Sequence, residues 1–149
     1  MSRLVFRDFD EFADSIAGIA GRFVPTARSS AEWWVDAVPA GVLSLQQIQI
    51  GGSATFAGDG AAGSFTLGIP MTKPQCIRID GQRLDGNSFI VLKQDQPFTF
   101  AGQDVTRWAG VTLPIRNRSG VPAELSVMGR LLYHPPISSI VVGCSRLAR

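Results

Sequence analysis

The sequence predicts a mainly β protein, built as a barrel or sandwich, with a short helix at its N-terminus and further helices at its C-terminus. From Trp33 to about residue 115 the chain consists of short stretches rich in β-branched and aromatic residues. Turn-forming pairs separate these stretches: Gly51-Gly52, Asp59-Gly60, Asp80-Gly81 and Asp85-Gly86. Because turn signals recur every ~8 to 12 residues or closer, and no long helical pattern intervenes, βαβ topology is not expected.

The N-terminal helix is predicted from apolar residues at spacings of three and four. These are Phe9, Phe12, Ile16 and Ile19. Either Asp8 or Asp10 can cap the first turn with its carboxylate. Gly18 and Gly21 are expected to end the helix, and Pro25 excludes a long regular element directly after it.

Nine stretches after this point are predicted to form strands. They are WWVDAV, VLSLQQIQI, ATFAG, SFTLGIP, CIRID, QRL, SFIVLK, PFTFAG and TRWAGVTLPI. Together with the first helix they form the predicted β-barrel unit, residues 1–118.

The remaining residues, 119–149, are predicted to be a helical segment. Val121, Leu125, Met128 and Leu132 follow a helical spacing, although Leu125, Val127, Leu131 and Tyr133 also alternate as in a strand. A second amphipathic helix is expected to begin at Ile137, with five apolar residues on one stripe: Ile137, Ile140, Val141, Cys144 and Leu147. This stripe must be buried against the barrel, against a second copy, or against chain beyond Arg149.

The bulk composition indicates one soluble, cytoplasmic domain. The chain has 149 residues and a net charge of +2, which gives no electrostatic argument for nucleic-acid binding. Cys76 and Cys144 lack metal-ligand spacing and are expected to be reduced thiols. The N-terminus has no apolar signal core, and no apolar run approaches the ~20 residues that cross a bilayer.

The residues needed for familiar catalytic chemistry are scarce. His134 is the only histidine, so a three-histidine metal site is impossible. There is no nucleophile elbow and no phosphate-binding glycine motif. Most acidic residues stand at apparent turns, where Asp is favoured for backbone reasons. We therefore expect no metal, no cofactor and no enzymatic activity.

The stretch DGNSFIVLKQDQPF resembles the second conserved block of cupin barrels. Gly86, the apolar run 89–92 and Pro97 match the layout of that block, with one extra residue after the glycine. Phe98 stands where cupins have a metal-binding histidine, and ATFAGDGAAGSFTLGIP offers no counterpart to the first cupin block. The resemblance implies a jelly-roll barrel without metal ligands, in which Phe98 fills the lumen.

Nearly the whole chain is similar to the N-terminal sensor and dimerisation half of AraC/XylS-family transcription regulators. The similarity lies in DFDEFADSI, RFVPT before a Trp pair, LQQIQIGG and RWAGVTLPI. It implies a domain that senses a small-molecule effector and forms a homodimer through the terminal helix, at Ile137, Ile140, Val141, Cys144 and Leu147. DNA binding would belong to a C-terminal pair of helix-turn-helix units that this sequence lacks, so we expect a fragment of a longer protein.

Six residues are candidates for effector binding: Trp33, Trp34, Gln47, Gln49, Phe98 and Trp108. The tryptophans could wall a pocket, with core packing as their competing role. Gln47 and Gln49 share a strand face with Leu43 and Leu45, and a ligand could satisfy their amides if that face is the lumen. If the opposite face is inward, Val42, Ile48 and Ile50 form an ordinary core.

The sequence therefore favours a ligand-sensing domain, a dimerisation domain, or one domain that does both. A metal-free cupin-type isomerase or epimerase is the alternative, and it would need a general acid and base inside the lumen. A purely structural jelly roll is the third possibility. It differs from the first in having a filled lumen instead of an open one.

Overall fold

The computed structural model describes residues 2–115 and the strands Ser139–Val142 and Ser145–Ala148. Its only described α-helix is α1 (Phe9–Asp14). The strands, in chain order, are β1 (Ser2–Phe6), β2 (Ile19–Pro25), β3 (Trp33–Ala40), β4 (Leu43–Ile50), β5 (Ala54–Gly60), β6 (Ser64–Pro70), β7 (Ile77–Ile79), β8 (Gln82–Arg83), β9 (Ser88–Lys93), β10 (Pro97–Gly102), β11 (Thr106–Pro114), β12 (Ser139–Val142) and β13 (Ser145–Ala148). The mainly β class is confirmed.

These strands form two sheets. The larger one has the order β1-β3-β4-β11-β6-β9-β12-β13, and the smaller one has the order β2-β5-β10-β7-β8. All neighbours are antiparallel except β12, which runs parallel to β9. A closed barrel was predicted, and this is wrong: the sheets remain separate ladders. Besides these ladders, the described residues form one isolated parallel bridge, between Gly60 at the end of β5 and Gln94 just after β9.

The chain changes from the smaller to the larger sheet between β5 and β6. Between β5 and β6 the chain turns at Gly63, which has a φ of 71°. Such a positive φ is rare outside glycine, so a glycine suits this turn.

Helix α1 is shorter than predicted, although its cap is as expected. The Oδ1 atom of Asp8 accepts hydrogen bonds from the backbone N–H groups of Asp10, at 2.8 Å, and Glu11, at 3.0 Å. The helix ends at Asp14, and Ile19 already begins β2. The chain turns at Gly18, where φ is 88°, so the predicted apolar stripe does not continue as a helix.

The main core lies between the two sheets and is dominated by aromatic rings. Phe12 of α1 packs edge-on against Trp33 of β3 and Phe23 of β2, with ring centroids 5.0 and 5.3 Å apart. Phe23 continues the contacts to Phe56 of β5, at 4.8 Å. Each such pair adds a directional term to the burial of apolar surface. The helix and both sheets are thereby joined in one core.

A second apolar cluster lies on the opposite face of the larger sheet, hereafter its outer face. Its buried members are Phe65, Leu67, Phe89, Val91 and Leu113. On β6 and β9 these residues alternate with Thr66, Gly68, Ile90 and Leu92, which face the smaller sheet. The middle of the larger sheet is therefore apolar on both faces, which explains why SFTLGIP and SFIVLK are nearly continuous apolar runs.

The predicted terminal helix is not found where the chain is described. Strands β12 and β13 occupy most of its range, because β-branched Ile140, Val141 and Val142 favour an extended ladder beside β9. A strand has a period of two, so the stripe at helical spacing is not formed over Ile140, Val141 and Leu147. Ile137, Cys144 and the first predicted helix lie outside the described residues. Dimerisation through these residues stays a prediction.

Over the described ranges, no helix has the length and apolar character that would let it cross a bilayer.

Candidate functional site

The candidate site is a cavity in the lumen, the space between the two sheets. It has a volume of about 80 Å³. Its walls come from both sheets and include Phe23, Ile48, Phe56, Ile90, Phe98 and Trp108. An apolar cavity of ~150 Å³ holds benzene, and drug-sized pockets exceed ~300 Å³. The lumen is therefore largely filled and leaves room for one small group.

Two facing glycines line the cavity, but only one of them borders its free space. Gly110 of β11 and Gly68 of β6 are register partners and both line the cavity. A Cβ atom added to Gly110 would meet nothing within 4 Å, whereas one added to Gly68 would lie 2.7 Å from Cγ1 of Ile90. The free space therefore adjoins Gly110 specifically.

Replacing Gly110 by alanine is expected to stabilise the protein by about 1 kcal/mol. The methyl group would occupy free apolar space, and alanine loses less backbone entropy than glycine on folding. Urea denaturation of both proteins measures the difference. Gly68→Ala is the matched control and is expected to destabilise, because its methyl group meets Ile90. Equal effects of the two substitutions would show that the space beside Gly110 is not free.

Three of the described residues that line the cavity have polar side chains, and two of these are satisfied internally. The Oε1 atom of Gln46 accepts a hydrogen bond from the Ala17 backbone N–H at 2.9 Å, and its Nε2 atom donates to the Ser15 carbonyl at 3.0 Å. The Thr66 and Thr112 hydroxyls lie 2.9 Å apart. The third is Trp108, whose buried Nε1–H has no hydrogen-bond partner in the described part of the chain.

The lining contains no ionisable side chain among the described residues. Phe98 lies in the lumen as predicted, 5% exposed, with its ring 5.1 Å from that of Phe56. The donor set at this place therefore does not suit a metal ion, which requires N, O or S ligands. Across the described residues, no three His, Cys, Asp or Glu side chains are grouped as metal ligands.

The other predicted ligand-binding residues do not share this site. Trp108 and Phe98 line the cavity, but Trp33 belongs to the core beside α1, where its Nε1 atom donates to the Ser29 hydroxyl at 2.9 Å. Trp34 and Gln49 are register partners on the outer face. Gln47, on that same face, is exposed. The six predicted residues are thus divided among three places.

Trp34 is covered on the outer face by two guanidinium groups. The Arg3 guanidinium lies 3.8 Å from the ring centroid and the Arg107 guanidinium lies 5.7 Å from it. Arg3 is held by Asp36, to whose Oδ2 atom its Nη2 donates at 3.1 Å. Gln49 accepts from the Arg107 Nε at 2.9 Å and donates to the Glu32 carbonyl. Its amide is therefore satisfied by the protein and does not require a ligand.

Of the two faces of β4 that the sequence left open, the one with Ile48 and Ile50 lines the lumen. Ile48 and Ile50 are buried in the lumen, as that alternative requires, but Val42 lies in an exposed turn. Gln46 shares this inward face, and sequence reasoning missed it. Its alternation with Ile48 and Ile50 was a readable signal. For Gly68 and Gly110 there was no comparable signal, because their role depends on facing each other across two strands.

A second depression, open to solvent and about 360 Å³ in volume, lies beside α1. Its acidic groups already have partners. Asp8 caps the helix, and Asp10 forms an ion pair with Arg22 at 3.1 Å. The hydrogen bond from Arg22 lowers the pKa of Asp10. Because both side chains are exposed and paired with each other, the depression offers no free acid or base.

A similar exposed pair joins Lys73 to Asp104 at 2.6 Å, and its hydrogen bond lowers the pKa of Asp104 and raises the pKa of Lys73. Neither residue lines the cavity. These shifts are those of surface ion pairs, so they give no indication of acid–base chemistry in the lumen.

The fold and site thus define a mainly β, two-sheet protein with a small apolar cavity. No protein-family model matches the chain, and no curated protein matches it. Among solved structures, it is similar to the crystal structure of a predicted oxalate decarboxylase from Thermotoga maritima. The identity is 8%, the TM-score is 0.43, and the match covers 69% of this chain and 96% of the other. A TM-score this low carries no argument about the fold. The fold class is therefore assigned from the two sheets alone.

Proposed function

We propose that this chain is a non-enzymatic sensing domain of the AraC/XylS type, with a cupin-like pair of sheets that binds a small effector in the lumen. The observation on which the proposal depends is the apolar cavity beside Gly110, lined in its described part without ionisable groups. Such a site can bind a ligand through shape and burial.

The character of the lining supports binding over catalysis. Proton transfer requires an acid or base within hydrogen-bond reach of the substrate. The described polar side chains of the lining are an amide, a threonine hydroxyl and an indole, and the amide and hydroxyl are already engaged. The metal-free isomerase or epimerase alternative has no such acid or base to rely on here.

The size of the cavity restricts the effector. At about 80 Å³ it is roughly half the volume that holds benzene in an apolar cavity. An effector of a few non-hydrogen atoms fits without rearrangement. A larger one would have to displace rings such as Phe98 and Phe56, which line the cavity and contact each other.

The test is a thermal denaturation screen against small neutral molecules. A ligand present at ~100 times its dissociation constant is expected to stabilise the protein by about 2.7 kcal/mol. Gly110→Val should abolish the effect because its side chain occupies the cavity. Gly86→Val is the matched control, since Gly86 is exposed and a Cβ added there meets nothing within 4 Å.

Each outcome of the screen bears on one function. Stabilisation that is lost only in Gly110→Val supports the sensing domain. No stabilisation by any molecule contradicts it and leaves the purely structural jelly roll. Conversion of a bound molecule, followed by mass spectrometry, would instead establish an enzyme.

The proposal includes a homodimer, with DNA contacted only through a helix-turn-helix domain outside this sequence. Sedimentation equilibrium over a range of concentrations tests the first part. We expect a mass of twice the 16.0 kDa of the chain at the higher concentrations. A mass of one chain at every concentration would contradict the dimer without affecting the lumen.

A further inference from the structure

We infer that the effector is a hydrocarbon-like molecule without hydrogen-bonding groups, of about three to four carbon atoms or the equivalent size. This inference depends on the proposed function, because it names the class of ligand that the lumen cavity takes. It is based on two properties of the lining: the chemistry of the atoms that face the cavity, and the volume that they enclose.

The polar side chains of the described lining are engaged with protein partners or out of reach. Both ends of the Gln46 amide bond to backbone groups of the turn after α1. The Thr66 and Thr112 hydroxyls bond to each other. The Nε1 atom of Trp108 is buried without accessible surface, so a ligand in the cavity cannot reach it. Recognition by a directed hydrogen bond therefore has no support in the described lining.

Carbon atoms form almost all of the surface that faces the cavity. The larger sheet contributes Ile48 and Ile90, the smaller sheet contributes Phe56 and Phe98, and all four side chains are buried. A polar ligand group placed here would lose its hydrogen bonds to water and gain none in return, which costs free energy. Water itself needs several polar partners to occupy a buried site. The chemistry of the walls thus favours a ligand that has no polar group.

The volume of the cavity sets the size of this ligand. It is about 80 Å³. An apolar cavity of ~150 Å³ holds benzene, so about half of that volume suits roughly three to four carbon atoms. Short alkanes and alkenes such as propane and isobutene have this size.

A series of alkanes tests the size. Each additional buried methylene group is expected to raise affinity about 4-fold until the cavity is full. Affinity should therefore rise from methane to propane and stop rising, or fall, at pentane. Binding is measured from ¹³C–¹H spectra of the methyl groups, in which the signals of Ile48 and Ile90 are assigned by their loss in Ile48→Val and Ile90→Val.

Isobutene and acetone test the chemistry, because they share a branched shape and differ in one terminal group. Isobutene is expected to shift the methyl signals of Ile48 and Ile90 in a saturable way. It should bind at least about 5-fold more tightly than acetone, whose carbonyl oxygen would be buried without a donor.

Gly110→Ala links the binding to this cavity without adding a large side chain. Its methyl group would occupy part of the free space beside Gly110, where a Cβ atom meets nothing within 4 Å. The alkane at which affinity stops rising should therefore be about one carbon shorter than in the parent protein. Gly86→Ala is the matched control, since Gly86 is exposed and its methyl group would also meet nothing, and it should leave the series unchanged.

The outcomes separate this inference from the proposed function. If acetone binds as tightly as isobutene, or if affinity does not change with alkane length, the lumen binds ligands but the ligand class is wrong. The same conclusion follows if neither probe shifts the methyl signals while the thermal screen finds another ligand. If neither probe binds and no molecule of the screen stabilises the protein, the proposed function itself fails.

Discussion

Phe56→Ala is expected to lower the free energy of unfolding by about 3–5 kcal/mol, the usual loss for a buried phenylalanine. The ring is 2% exposed and contacts Phe23 and Phe98, at 4.8 and 5.1 Å between centroids. Its tip fits where Gly21 and Gly58 lack side chains, since a Cβ atom on either glycine would lie only 2.6 or 2.8 Å from Cζ of the ring. The surrounding backbone cannot close the resulting gap. Because small proteins have only ~5–15 kcal/mol of stability, much of it would be lost.

Urea denaturation followed by fluorescence measures this loss. Val24→Ala, on the neighbouring strand β2, is the control, because Val24 is 52% exposed and its truncation should change stability by less than ~0.5 kcal/mol. Similar losses for the two variants would contradict the position of Phe56 at the centre of the core.

Gly60→Ala is expected to destabilise the protein by at least about 2 kcal/mol. Its Cβ atom would lie 1.9 Å from the backbone carbonyl oxygen of Lys93. At this point Gly60 also donates to the Gln96 carbonyl and accepts from the Asp95 N–H, at 3.0 and 2.8 Å. The close approach involves backbone on both sides, so no side-chain rotation can relieve it. The substitution would therefore separate the two sheets where the bridge between β5 and the end of β9 joins them.

Gly86→Ala supplies the comparison for this second substitution, because its methyl group would project into open space. Hydrogen exchange adds a local readout: amide protection at Asp95 and Gln96 should fall in Gly60→Ala and stay unchanged in Gly86→Ala. Unchanged protection in both variants would mean that the bridge at Gly60 does not hold the sheets together.

Sequence reasoning predicted the class of fold because the local signals agreed with one another. The β-rich stretches between turn glycines became strands β3 to β11, and Asp8 caps the short helix as expected. Closure of the barrel was not predictable from these signals. It depends on whether the hydrogen-bonded ladders continue from one sheet into the other, and that is set by tertiary packing.

The candidate site was predicted only in part. Which face of β4 points into the lumen is decided by tertiary packing and not by the local sequence. In LSLQQIQI both alternating sets contain apolar residues, so the pattern alone does not distinguish Leu43 and Leu45 from Ile48 and Ile50. The cluster on the outer face shows why: this sheet buries apolar residues on both sides. Phe98 lies in the lumen as expected and Trp108 lines the cavity, whereas Gln49 lies on the outer face. Ligand binding by these residues stays a prediction.

The tail shows the same ambiguity between periods. Ile140 and Val141 satisfy a helical stripe, yet they are also β-branched and fit a strand beside β9. Short apolar runs support both assignments, and the neighbouring strand decides between them.

The three tryptophans supply the protein with its own optical reporters. Trp33 is hydrogen-bonded within the aromatic core, Trp34 lies beneath two guanidinium groups on the outer face, and Trp108 has a buried N–H without a partner among the described residues. Their emission should differ in colour and in quenching. Variants that keep one tryptophan each could therefore report unfolding, changes at the outer face and ligand binding in the lumen as separate fluorescence signals without a label.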